Sequence, residues 1–61
     1  MKREEVAVAI NENRVVVYDG AKYQVVGYKV LKNLRGVKEY FVGLLDLKNK
    51  RTHIWVGIND V

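Results

Sequence analysis

The sequence predicts an all-β fold: one small barrel of five to six antiparallel strands spanning residues 1–61, with a short 3₁₀ turn near the C-terminus. Three observations predict it. Valine is the commonest residue, at 12 of 61 positions, and stiff β-branched side chains suit a pleated sheet better than a helix. Asp19-Gly20 stands between two β-rich runs, the strongest short-range hairpin signal. Two glycines, Gly27 and Gly43, interrupt otherwise strand-like segments, where a bulge or sharp corner would curl a small sheet onto itself.

Taken in order, residues 4–10 read Glu-Glu-Val-Ala-Val-Ala-Ile. Val6, Val8 and Ile10 alternate with Ala7 and Ala9, the period of a strand. Glu and Ala favour a helix, which is the competing reading of this segment. As a strand, its small second face would lie against another element or a second subunit, with Glu4 and Glu5 guarding the edge. Asn11-Glu12-Asn13 is a turn signal, since Asn tolerates left-handed backbone. Residues 14–18 form the next strand and 21–32 a long one broken by Gly27. Asn33-Leu34-Arg35-Gly36 turns the chain. Residues 37–46 form a strand with a bend at Gly43, 46–50 a polar turn, 51–56 the last strand, and 57–60 the 3₁₀ turn.

The bulk composition narrows function. A 61-residue chain has room for one domain, and its small core is marginal by size. There is no Cys and only one His, which excludes disulfides and thiolate metal sites and argues against a His-rich metal site. No Ser occurs, so serine nucleophiles are absent, and no carboxylate pair or Gly-rich phosphate loop stands out. The sequence therefore carries no enzyme and no cofactor signature. It has no apolar run long enough for a bilayer and no signal-peptide core, so a cytoplasmic place is expected, with no membrane partner. The missing Cys and Ser and the abundant Val, Lys and Arg resemble a thermophile's composition.

Charge is unevenly placed. Between Gly20 and His53 there are eight basic residues, Lys22, Lys29, Lys32, Arg35, Lys38, Lys48, Lys50 and Arg51, against Glu39 and Asp46. The rest of the chain holds three basic and five acidic residues. A basic half meets a polyanion favourably, because each phosphate neutralised releases condensed counterions. Exposed rings among the cations would add stacking on bases or insertion at a base step. In the last strand, Arg51, His53 and Trp55 share one face and Thr52, Ile54 and Val56 the other, which would be the core. In the strand before it both faces are largely apolar, so pattern leaves the orientation open. Tyr28 shares parity with Lys22, and Lys29 takes the opposite face unless Gly27 bulges. The candidate site is accordingly Arg51, His53 and Trp55, with Tyr28, Lys29 and Lys38 nearby and Lys32, Arg35, Lys48 and Lys50 as flanking phosphate contacts. The expected partner is nucleic acid, DNA before RNA, bound largely without regard to sequence. The alternative is a protein-interaction or assembly module that forms a homodimer through the N-terminal strand.

Residues 15–61 resemble SH3-like small barrels of the Tudor, chromo-barrel and KOW type. The resemblance lies in Val-Tyr-Asp-Gly at 17–20, the aromatic and Val-rich strand at 23–28, the polar turn at 46–50, and Ile-Trp-Val-Gly-Ile-Asn-Asp-Val at 54–61. It implies a curled antiparallel meander. Together with the charge it suggests a small chromatin-type DNA-binding protein like those of archaea, associated with the nucleoid. A weaker resemblance joins Gln-Val-Val-Gly-Tyr at 24–28 and Ile54-Trp55 to the plasmid-borne type II dihydrofolate reductases. That resemblance would imply a tetramer with a nicotinamide cofactor, but His53 stands where that family has its active-site Gln, and Thr52 replaces the preceding Val.

Overall fold

The computed structural model describes residues 1–61. It begins with a helix, α1 (Arg3–Asn11), followed by strands β1 (Val15–Tyr18), β2 (Ala21–Lys32), β3 (Lys38–Asp46) and β4 (His53–Gly57), and a 3₁₀ turn at Ile58–Asp60. The four strands form a curled antiparallel half-barrel in the order β1-β2-β3-β4, with β1 and β4 at its two open edges. Just under half the residues are in strands. The expected all-β barrel of five to six strands is thus corrected: there are four strands, the sheet does not close, and the first element is helical.

The helix wins over the alternating strand because of what each periodicity buries. At helical spacing Val6, Ala9 and Ile10 share a face. Val6 and Ala9 are fully buried there and Ile10 packs beside them, whereas Val8 is 46% exposed. Ala9 brings no bulk to the contact, so the helix backbone can approach the sheet closely. Glu4 and Glu5 lie in the first turn, where carboxylates favour the helix dipole. The Glu5 carboxylate also accepts a hydrogen bond from the Lys2 N–H (3.3 Å). The C-terminus closes with a left-handed Asn13 (φ 54°). Arg14 N–H donates to the Ala9 carbonyl (2.9 Å) and Asn13 N–H to that of Ile10 (3.2 Å), the paired bonds of a Schellman cap. The turn expected at 11–13 is therefore the end of a helix rather than a strand connection. The dimer interface drawn on an N-terminal strand loses the strand it needed.

The remaining elements follow the sequence closely. Asp19 (φ 51°) and Gly20 (φ 77°) are both left-handed, as a type I′ hairpin turn requires. β2 runs from 21 to 32 as expected, and the other strands shift by one or two residues. Between Val25 and Gly27 the β2–β3 register slips: Val25 faces Leu44, but Gly27 faces Gly43. Val26 is the extra residue of a β-bulge, which exchanges the faces of every residue beyond it.

The core lies on the inner face of the sheet, under α1. It contains Val6, Ala9, Val25, Val42, Leu44, Val56 and Ile58, the last supplied by the 3₁₀ turn. Val25, Leu44 and Ile54 form one inward row across the sheet, and Tyr28, Val42 and Val56 the next. β2 is long, and 12 residues of strand extend about 40 Å; the molecule measures 38 Å along its major axis and 20 and 18 Å across. The distal parts of β2 and β3 therefore leave the core as a projecting hairpin, in which residues 30–39 are all exposed.

Candidate nucleic-acid interface

The expected site residues fall into three groups. The first is the β2–β3 arm. Its tip is a five-residue loop held by Asn33, whose side-chain oxygen accepts hydrogen bonds from the Arg35 and Val37 N–H groups (2.9 and 3.0 Å). The backbone adds Asn33 N–H to the Val37 carbonyl (2.9 Å) and Gly36 N–H to the Asn33 carbonyl (3.0 Å). Gly36 takes the left-handed conformation (φ 82°) that closes the loop. This scaffold presents Arg35 and a fully exposed Leu34 at the apex, with Lys32 paired to Lys38 just behind. Two like charges opposite each other cost stability in a free hairpin, and a polyanion would relieve that repulsion.

The second group is at the opposite end of the sheet, in the turn between β3 and β4. Asp46 accepts from Lys48 N–H (2.8 Å), and Asn49 accepts from Arg51 N–H (3.2 Å) through its side chain and from Thr52 N–H (2.9 Å) through its carbonyl. These bonds display Lys48, Lys50 and Arg51 to solvent. Arg51 lies in the turn, so it does not extend the β4 face occupied by His53 and Trp55.

The third group is the outer face of the sheet, which no element covers. Here the residues align in rows: Val15, Gln24, Leu45 and His53; then Gly27, Gly43 and Trp55; then Lys29, Phe41 and Gly57. The outward direction of His53 and Trp55, with Ile54 and Val56 inward, follows the expected alternation. The bulge decides the other two positions. It turns Lys29 outward beside Trp55 and Tyr28 inward, where Tyr28 stacks on Tyr40 (centroids 6.3 Å apart, planes 19° apart). Tyr40 is in turn held by Arg3, which donates from Nη1 to the phenol oxygen (3.1 Å) with its guanidinium 4.8 Å from the ring centroid. Tyr28 and Lys38 thus occupy the face opposite Trp55.

Trp55 leans across β3 onto β2 because nothing stands in the way. A Cβ at Gly43 would be 3.0 Å from Trp55 Cζ3, and one at Gly27 would be 3.0 Å from Cη2. The indole therefore rests over a glycine pair on neighbouring strands and stays 47% exposed. Lys29 Nζ lies over the ring, 4.5 Å from its centroid, and 5.5 Å from the Phe41 centroid. An exposed cation–π contact stabilises by only about 0.5–1 kcal/mol, while a base stacked on an aromatic ring is worth about 1–3 kcal/mol. A base can therefore displace the ammonium. Sequence reasoning named the basic residues and set Trp55 on the outward face of its strand, where the structure has it. It missed the glycine floor beneath the ring and the role of Phe41: the turn expected at 33–36 would set Gly27 opposite Val42, whereas the five-residue loop at 33–37 pairs Lys32 with Lys38 and brings Gly27 opposite Gly43.

Charge pairing separates the cations further. The only ion pairs join Arg14 to Glu5 (3.8 Å) and Glu12 (3.1 Å). The eight basic residues between Gly20 and His53 have no carboxylate partner. No cluster of three or more His, Asp or Glu side chains converges as a metal site, and no helix is long and apolar enough to cross a membrane. No protein-family model, curated protein or solved structure matches this chain.

Proposed function

We propose that the protein binds nucleic acid, DNA in the first place, as a sequence-independent polyanion ligand. The observation that carries this reading is the arm: Lys32, Arg35 and Lys38 on a hairpin that projects from the core, with Lys29 at its base, none of them paired with a carboxylate. Phosphates would replace water around cations that the fold leaves free. The exposed Leu34 at the tip suits contact with sugar edges or a base step. Lys48, Lys50 and Arg51, at the far end of a 38 Å molecule, would meet the same polyanion further along. The curled meander and terminal 3₁₀ turn are features expected of an SH3-like barrel left open, and with the carboxylate-free cations they support a chromatin-type reading.

A salt titration tests this. With a fluorescent duplex, binding should be measurable at about 50 mM salt and should weaken steeply by about 200 mM, with a log–log slope of about 0.9 per phosphate contact. Replacing Lys29, Lys32, Arg35 and Lys38 together by Ala should flatten that slope by about one unit for each cation that contacts phosphate. Affinity that is absent at low salt, or insensitive to salt, would rule the reading out.

One observation favours a second reading, an assembly module. Val15 and Val17 of the edge strand β1 are exposed, Val17 at 67%. The register, together with the bond from Val25 N–H to the Arg14 carbonyl, leaves the N–H and C=O groups of Val15 and Val17 facing away from β2. A second copy could add a strand there. Light scattering distinguishes the two, since a monomer at high concentration removes the assembly reading.

A further inference from the structure

We propose that the outer sheet face takes single-stranded nucleic acid, with one unpaired base stacked on Trp55 in the position that Lys29 Nζ holds in the free protein, and Lys29 moved onto a neighbouring phosphate. This deepens the polyanion reading above and rests on it. Three features point to a single strand. First, Trp55 is on the broad surface of the sheet, seated over Gly27 and Gly43, and not on a protrusion able to pry open a duplex. In a duplex the base faces are buried in the stack and only their edges are reachable, so only an unpaired base can offer its face to a ring placed this way. Second, Lys29 shows that a ring face is accessible: a cation 4.5 Å from the centroid occupies the place a base would take. Third, charge and aromatic surface are interleaved. Lys29 stands between Trp55 and Phe41, so a strand crossing the face finds a ring for its base and an ammonium for its phosphate at adjoining positions.

Trp55 is the only tryptophan, which makes its emission a direct reporter. The protein is titrated at low salt with a short oligothymidylate, a duplex of the same length, and inorganic polyphosphate, which has charge but no bases. The expected result is quenching of Trp55 by the oligothymidylate alone, with polyphosphate binding by anisotropy competition but leaving the emission unchanged. Trp55→Ala should lower oligothymidylate affinity on the order of tenfold, one stacked base's contribution, while leaving duplex affinity within about twofold; Trp55→Phe, which keeps a ring and guards against misfolding, should retain most of it. Equal quenching by the duplex would overturn the single-strand preference. Binding of all three ligands with no change in Trp55 emission would overturn stacking and leave the polyanion reading standing. No binding of any ligand would remove both. An emission shift that follows protein concentration and ignores oligonucleotide would assign the face to a second copy and overturn the proposal.

Discussion

Ala9→Lys is expected to unfold most of the protein at 25 °C, while Val8→Lys, one residue earlier, changes its stability by no more than about 0.5 kcal/mol. Both substitutions add the same side chain to the same helix, and Lys is a good helix former, so only the direction of the side chain differs. Ala9 has no accessible surface and is pressed between the helix and the sheet, whereas Val8 is 46% exposed. A lysine at position 9 must either force the helix off the sheet or bury an unpaired ammonium. Either outcome costs several kcal/mol, and a core this small supplies a net stability of only about 3–5 kcal/mol. Circular dichroism melts of the two variants decide the point. Were residues 4–10 a strand, Val8 would share the buried face with Val6 and the ranking would reverse, so the pair also tests which periodicity the N-terminus obeys.

Gly43→Ala should be the most damaging of the glycine substitutions, costing about 2–3 kcal/mol, the range for overpacking a filled site. The new methyl would stand 3.0 Å from Trp55 Cζ3 and 3.1 Å from the Gly27 Cα. The indole could rotate away, but the β2 backbone cannot yield without breaking the ladder. Gly27→Ala meets the Trp55 ring at 3.0 Å but the Gly43 Cα only at 3.7 Å, so moving a side chain relieves most of it and a cost nearer 1 kcal/mol is expected. Both variants should shift Trp55 emission to the red as the ring lifts into water. Thermal melts read against that emission separate the two effects. Equal stability loss at the two positions would show that Trp55 alone, and not the close approach of the strands, makes the pair intolerant of a side chain.

Much of this arrangement was legible in the sequence because local rules act locally. Asp19-Gly20 demanded a hairpin and made one, and the β2 boundaries at 21 and 32 came out as expected. The outward direction of Trp55 followed from simple alternation along β4. The N-terminus was not legible, because Val6, Ala9 and Ile10 satisfy helical spacing while Val6, Val8 and Ile10 satisfy strand spacing. The choice between them was made by tertiary packing, where small Ala9 allowed a close helix–sheet contact. The bulge was legible only as a condition. Gly27 announced an irregularity, but whether it added a residue to one strand depended on the partner strand, and that single residue decided whether Tyr28 or Lys29 joined Trp55. Composition alone gathers the candidate site on one surface, yet its basic residues come from the two ends of a long sheet, a separation that depends on strand length and register.

The projecting arm also divides the molecule thermodynamically. Beyond Val30 and Tyr40 the β2–β3 ladder has no helix above it and no neighbouring strand beside it, so Leu31 and Lys32 are held to their partners by little more than hydrogen bonds and cross-strand contacts. An isolated two-stranded ribbon is marginal in water. Opening of the arm therefore need not wait for the core to open, and its amides will exchange by local fraying at a free energy well below that of global unfolding. Amide exchange in the arm and the fluorescence of Trp55 will report two different stabilities for one 61-residue chain. A ligand that grips the arm would raise the lower one by ordering what was free to fray, so part of its binding free energy would go into completing the fold.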